Sequence, residues 1–386
     1  MAVIRRQTAV PVLLLGLTTR LVGVTVTTLT NTNTYARGDV HGFSYTAIYI
    51  ADGLRQGVYI LPSAYSSTYH TWGTFLAPFW LLPGPSRIYA RIGIAILGTY
   101  AIYNVYIITL KYSSQQAALL AVTPLIVYPS FIMIHSTVLR ETAILVGLTA
   151  ATRFLVAPSS RFSTVTNSSL AIVFLGLATI LRPDNFPVYI VVIILAGLLK
   201  YRHLFTRSTL RYLVPPTVIG GVLVTIPLVQ RVIVSLSNLR RVRARGRTMY
   251  LDGVFPETIH SAVAFSWVGA AYFLFTPFPW MITEITDFVA FFEAIGNLIF
   301  AIFGIFGARA VIRKNVPVGV ALLFGIVIGA VLYGFGTANV GTAIRHRQMV
   351  LWAIFVLGGI GISERIRFHF SFDAISSPEP PTPKDT

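Results

Sequence analysis

The sequence contains no cysteine and little charge. Without thiols there are no disulfides, no thiolate zinc sites and no cysteine nucleophile. Charged residues make up 11% of the chain, against about 25% in soluble domains, which excludes a globular enzyme with an ordinary solvated surface. Acids are the scarcer sign, with 13 Asp and Glu against 30 Lys and Arg and a net charge of +17. Such an excess suits nucleic acid only when it lies on one soluble face. Here the basic residues are scattered between apolar runs, so no nucleic-acid partner is expected, and anionic membrane lipids are the natural one. No glycine-rich phosphate loop stands in a Walker or GxGxxG context, and no repeat recurs at a solenoid or propeller period.

What remains is apolar: 55% of the 386 residues are hydrophobic and mean hydropathy is +0.73. A helix needs roughly 20 residues to cross the hydrocarbon of a bilayer, and about ten stretches approach that length. They run Ala9 to Leu29, Tyr89 to Leu110, Ala117 to Ile134, Thr137 to Val156, Ser169 to Leu181, Phe186 to Leu199, Leu213 to Val234, Phe288 to Gly307, Pro317 to Phe335 and Gln348 to Ile362. The expected fold is an all-α, polytopic transmembrane helical bundle over 1–365, followed by a cytoplasmic tail at 366–386 that is disordered at its end. "MAVIRRQTAVPVLLLGL" has the charge and apolar run of a signal peptide but no clean cleavage site, so it is expected to stay as the first span. Short-loop Lys and Arg place both termini in the cytoplasm of a multi-pass plasma-membrane protein. Nearly every acid before the tail then falls outside, including Asp39, Asp52, Glu141, Asp184, Asp252, Glu257, Glu284 and Asp287.

Two outer loops are long, 30–88 and 235–287. In the first, Phe43, Ala47, Ile50 and Leu54 recur at the spacing of an amphipathic helix lying along the interface. Asp39 and His41 precede it. "TWGTFLAPFWLLPG" after His70 is too short and too proline-broken to span and reads as a second interfacial helix. The second loop carries the densest basic run, "LRRVRARGR", with attraction to lipid headgroups as its plainest reading and direct contact with an anionic substrate as a compatible one. Ionisable residues also mark three span boundaries: Arg140 with Glu141, Arg182 with Asp184 around Pro183, and the triplet Arg345, His346 and Arg347. An intramembrane or boundary charge either pairs structurally or serves a site.

The order of these parts resembles the integral-membrane glycosyltransferases of GT-C type, which include protein mannosyltransferases, aminoarabinose transferases and lipopolysaccharide-core sugar transferases. A first span with an Arg, a loop Asp, two in-plane helices and "GPSRIYARIG" entering the next span match that order. So do "YPSFIMIHSTVLRETAILVGL", with its acid at the third-to-fourth-span turn, and "ATILRPDNFPVYIVV", with its Arg-Pro break. The resemblance covers roughly 9–200. It implies transfer of a sugar from a polyprenyl-phosphate donor to a lipid, glycan or protein acceptor at the extracytoplasmic face. Asp39 would be the catalytic base and Glu141 a second acid, with Arg140, Arg182, Arg345 and Arg347 as phosphate ligands. His41, His70 and His346 are candidate substrate contacts. A single loop acid stands where the family has a pair, which leaves open whether a divalent metal assists, and the soluble C-terminal domain of some members is absent. Two other readings stand beside this one. The first is a polysaccharide polymerase or ligase using polyprenyl-diphosphate-linked glycans, towards which "FLFTPFPWMITEITDF" faintly leans. The second is a lipid or solute transporter, for which the missing internal repeat is a weakness.

Overall fold

Long apolar runs and the helix signals at their ends settle the local structure. Ser114, Ser163 and Asn315 each accept a bond from a backbone N–H of the following first turn, and Thr258 forms a capping box with Ser261, so otherwise orphaned donors are satisfied at four helix starts. A computed structural model describes residues 9–31, 37–204 and 229–366. Arg207, Arg211, most of the expected span Leu213 to Val234, the first eight residues and the tail beyond 366 lie outside the described residues.

Among the described residues the fold is all-α. The helices are α1 (Ala9–Leu29), α2 (Arg37–Arg55), α3 (Ser67–Leu81), α4 (Ser86–Tyr112), α5 (Gln115–Val127), α6 (Pro129–Ile134), α7 (Glu141–Val156), α8 (Thr164–Leu181) and α9 (Phe186–Lys200). Then come α10 (229–243), α11 (Ile259–Phe275), α12 (Ile285–Lys314), α13 (Val316–Gly336) and α14 (Val340–Arg365). Among the described residues seven helical segments are long and apolar enough to cross a membrane, which makes this a polytopic membrane protein; α5 and α11 are shorter apolar helices. The expected span Ala117 to Ile134 is split at Tyr128–Pro129 into α5 and α6, because a proline restricts the residue before it to extended backbone. The last span begins at Val340 rather than Gln348, a difference that matters for the site.

Helix α14 is the axis of the bundle, buried along nearly its whole length. At its glycines it packs backbone to backbone against α12. A Cβ on Gly307 would collide with the Leu357 carbonyl, and one on Gly361 with that of Phe303. Between membrane helices, with no water to expel, such small-residue seams supply the close packing that holds them together. Interior polar groups find partners: the Arg20 guanidinium donates to Gly16 O and Leu125 O at 3.0 Å and lies 3.1 Å from His135 Nδ1, whose ring reaches Gln348 at 3.0 Å.

The two ends of the bundle differ. At one end α4, α7, α9, α12 and α14 finish with Lys111, Arg153, Lys200, Lys314 and Arg365, and Lys314 Nζ caps the carbonyl of Tyr112 at 2.6 Å. The opposite end carries α2, α3 and the segment 235–287. That segment is not irregular throughout, since it holds α11. Phe265, Gly269 and Phe273 all meet Phe335, Gly334 and Tyr333. Eight residues of α11 rise about 12 Å while the three they touch cover about 3 Å, so α11 crosses the end of α13 instead of running alongside it.

Candidate functional site

The loop between α1 and α4 folds into a helical hairpin. Val40, Phe43, Ala47 and Ile50 form the buried face of α2, and Trp72, Leu76, Ala77 and Trp80 that of α3; Leu54, which continues the α2 spacing, stays exposed. Gly73 lets α3 close on Thr46 and Ala47. A buried indole bond helps tie the hairpin to the bundle: Trp72 Nε1 donates to Val138 O at 2.8 Å. Val138 belongs to the turn that ends at Arg140 and delivers Glu141 as the first residue of α7. The hairpin thus sets Asp39, in the first turn of α2, beside Glu141.

Arg345 joins the two acids. One Nη donates to Asp39 Oδ2 at 2.5 Å and the other to Glu141 Oε1 at 2.6 Å. Tyr69 donates its hydroxyl to Asp39 Oδ1 at 2.6 Å. Glu141 is fully buried, while the Asp39 side chain keeps 33% of its exposure, so Asp39 is the acid that an incoming group reaches. Burial works against the charge of Asp39, but the Arg345 guanidinium and the Tyr69 hydroxyl outweigh it and hold the carboxyl below its ordinary value. Burial and the bond to Asp39 push the Tyr69 phenol up to about 12.

Three more guanidiniums stand near this pair. Arg140 donates to Leu181 O at 2.6 Å, satisfying a carbonyl at the end of α8. Arg182 follows as the C-cap of α8, where Pro183 stops the helix and opens a single 3-10 turn. Its Nη2 lies 3.1 Å from His346 Nε2, and its guanidinium sits 5.0 Å from the centre of the Tyr333 ring. Tyr333 donates to Asn185, which donates to Tyr189 at 2.8 Å. Arg243, the last residue of α10, donates to Gly336 O at 3.1 Å. Burial and the charge of Arg182 push it down to about 10. The fields of Arg140, Arg182 and Arg345 all fall on Glu141, and those of Arg182 and Arg345 on Arg243.

An apolar groove of about 560 Å³ lies between α7, α8, α9, α13 and α14, and it comes nearest the cluster at Tyr189, which Asn185 links to Tyr333 beside Arg182. It is lined from Tyr189 and Val188, next to the Asn185–Tyr333 contact, down to Lys200, Val156 and Asn315 at the basic end of the bundle. Along α9 that is about 18 Å. The walls are Leu148, Leu175, Ala196, Gly325, Ala353 and similar residues. A group that is charged at one end and apolar along the rest of its length matches this combination.

Of the residues expected from sequence, the structure brings together Asp39, Glu141, Arg140, Arg182, Arg345 and His346. It does not bring Arg347 to them. Two residues on from Arg345 in a continuous helix, Arg347 points to another side of α14, donates to Thr276 O at 2.6 Å and lies 3.5 Å from Glu293. His41 is exposed on α2, and His70 lies 2.8 Å from Pro62 O. Among the described residues no three His, Asp or Glu side chains converge as metal ligands. Asp39 and Glu141 do not fit a divalent ion in this arrangement, because Arg345 stands between them. Arg243 is the site residue that the sequence did not single out. Three positions earlier Arg240 is a structural plug, donating to the carbonyls of Val254, Tyr250, Leu251 and Thr337, which corrects its reading as a headgroup contact.

Compared with family models, curated proteins and solved structures, the chain has no significant match.

Proposed function

We propose that the protein is a membrane glycosyltransferase that moves a sugar from a polyprenyl-phosphate-type donor to a hydroxyl-bearing lipid, glycan or protein acceptor. The observation that carries this reading is the placement of an accessible, ionised Asp39 beside a guanidinium cluster at the head of an apolar groove. The groove takes the polyprenyl tail, and Arg140, Arg182 and Arg243 take the phosphate. The acceptor hydroxyl approaches Asp39. Its oxygen forms a bond to the anomeric carbon as the bond from that carbon to the phosphate oxygen breaks. The bonding pair leaves on the phosphate, where the arginines meet the developing charge, and the hydroxyl proton passes to Asp39. No step calls on a metal.

The site faces the extracytoplasmic side of a plasma membrane, with both termini in the cytoplasm. Support comes from the basic end of the bundle, which matches the positive-inside bias, and from the gathering of the acids at the opposite end. The test is to incubate the purified protein with labelled polyprenyl-phosphate and polyprenyl-diphosphate sugars and follow label into hydroxyl acceptors. Label transfer that needs Asp39 supports the reading. Absence of transfer from every lipid-linked donor, with the protein folded and membrane-inserted, overturns it.

A further inference from the structure

The cations around the site outnumber its acids, and the excess lies on one side. Asp39 and Glu141 are both spent on Arg345. Arg140, Arg182 and Arg243 have no carboxylate within ion-pair distance among the described residues. Arg182 is 2% exposed, yet among the described residues its Nε and Nη1 find no hydrogen-bond partner, nor does Nε of Arg140. Asp184 lies on the same break but is exposed, so water screens its contribution. Charges removed from water stay ionised only against a counter-charge, and these guanidiniums come from three separate elements around the upper end of the groove.

From this we infer that the lipid carrier is joined to its sugar through a diphosphate rather than a single phosphate. The inference rests on the glycosyltransferase reading of the same site. A single phosphate esterified on both sides carries one negative charge and leaves the four guanidiniums and two carboxylates one charge short of balance. A diphosphate esterified at both ends carries two and closes it. Its two phosphoryl groups also supply enough acceptor oxygens for Arg182 and Arg243 to bind separate phosphates. On transfer, the sugar–phosphate C–O bond breaks with its electron pair on the phosphate oxygen, releasing polyprenyl diphosphate with one further negative charge. Asp39 takes the proton that the acceptor loses. Nucleoside diphosphates share the charged group but not the tail, and the groove below Tyr189 selects the lipid.

The experiment measures binding of geranylgeranyl diphosphate glucose, geranylgeranyl phosphate glucose and uridine diphosphate to the full chain in detergent at fixed ionic strength, the two lipids being esterified at both ends so that they carry two charges and one. The diphosphate lipid is expected to bind about tenfold or more tightly than the monophosphate lipid, the equivalent of one further charge-assisted contact. Arg182→Gln and Arg243→Gln should each remove most of that preference. Arg243 is only half-buried, so its variant keeps the comparison meaningful if Arg182→Gln fails to fold. Equal binding of the two lipids overturns the diphosphate inference and leaves the transferase reading standing. Binding of neither lipid by folded protein overturns both. Uridine diphosphate binding as tightly as the lipid diphosphate overturns the assignment to a lipid.

Discussion

Arg345 and Asp39 lie 306 positions apart in the chain and meet at 2.5 Å, with the same guanidinium also holding Glu141 at 2.6 Å. One cation thus serves an accessible acid and a fully buried one, and the two halves of the arrangement should fail differently. Asp39→Asn keeps shape and loses the proposed base. Sugar transfer should fall by about 10²–10⁴-fold, the usual contribution of a positioned general base, with little change in thermal stability. Arg345→Gln takes from the buried charge of Glu141 the guanidinium that hydrogen-bonds it. It should cost about 3–5 kcal/mol of stability, seen as a lower unfolding temperature in detergent. Equal destabilisation by the two variants would contradict the division of roles.

The pH dependence follows from the same contacts. Asp39 is held below its ordinary carboxylate value, so its charge persists at mildly acidic pH and is lost only as pH falls through that depressed value. Any stability that this charge contributes is likewise present above the unfolded value and disappears in the same acidic window. Removing the Tyr69 hydroxyl withdraws one hydrogen bond from the charged form. Tyr69→Phe should therefore move the acidic limb of kcat/KM upward. At the alkaline side Arg243, pushed down to about 10, should set a loss of donor affinity, and that limb should vanish in Arg243→Gln. The measurement is a pH–rate profile of the three proteins; an acidic limb unmoved by Tyr69→Phe would argue against Asp39 as the base.

Much of this was legible in the sequence because apolar runs and their interruptions survive folding as helices and breaks. Asp39, Glu141 and Arg182 stand at such interruptions, where a polar side chain escapes lipid. What stayed hidden depends on direction. In "LRRVRARGR" five arginines look alike in composition, yet helical geometry turns Arg240 onto four carbonyls and Arg243 towards Arg182. Likewise Arg345 and Arg347 would aim alike in an extended lead-in to a span. The helix starts at Val340, so residues two apart diverge by about 200°, and one arginine goes to the site while the other goes to Glu293. The apolar helix α11 carries no cue in its own sequence that it crosses the end of α13; the close meeting of Gly269 with Gly334 sets that path.

Arg240 gives a stability prediction separate from the chemistry. Its side chain is fully buried and its donors close off four carbonyls from two segments. Arg240→Gln should leave several of them unsatisfied, at about 1–3 kcal/mol for each buried group, and lower the unfolding temperature well beyond Arg241→Gln. Arg241 makes an exposed pair with Glu257, an exposed bond to Asn238 and a contact with the Phe255 ring, and an exposed pair of this kind is worth about 0–1 kcal/mol. Parallel thermal melts in detergent check the ranking, and a smaller shift for Arg240→Gln would contradict the plug.

The groove makes a prediction about chain length. Ala196 and Gly325 are small residues in its walls, and a Cβ on Gly325 would meet only Val192, at 3.7 Å. Ala196→Trp or Gly325→Leu therefore fills open space instead of pressing on packed backbone, and stability should change by less than about 1 kcal/mol. If the polyprenyl tail lies in this groove, the larger side chain removes part of its apolar contact. Each buried methylene is worth about 0.8 kcal/mol, so losing one five-carbon unit of contact should raise KM for a long-chain donor by at least tenfold. A donor analogue with a tail too short to reach Ala196 should be spared, because its head still meets the arginines at the top of the groove. Kinetics with long- and short-tailed donors on the same variants separate the outcomes. Equal losses for both donors would mean that the filled groove disturbs the headgroup site, and no loss for either would place the tail elsewhere.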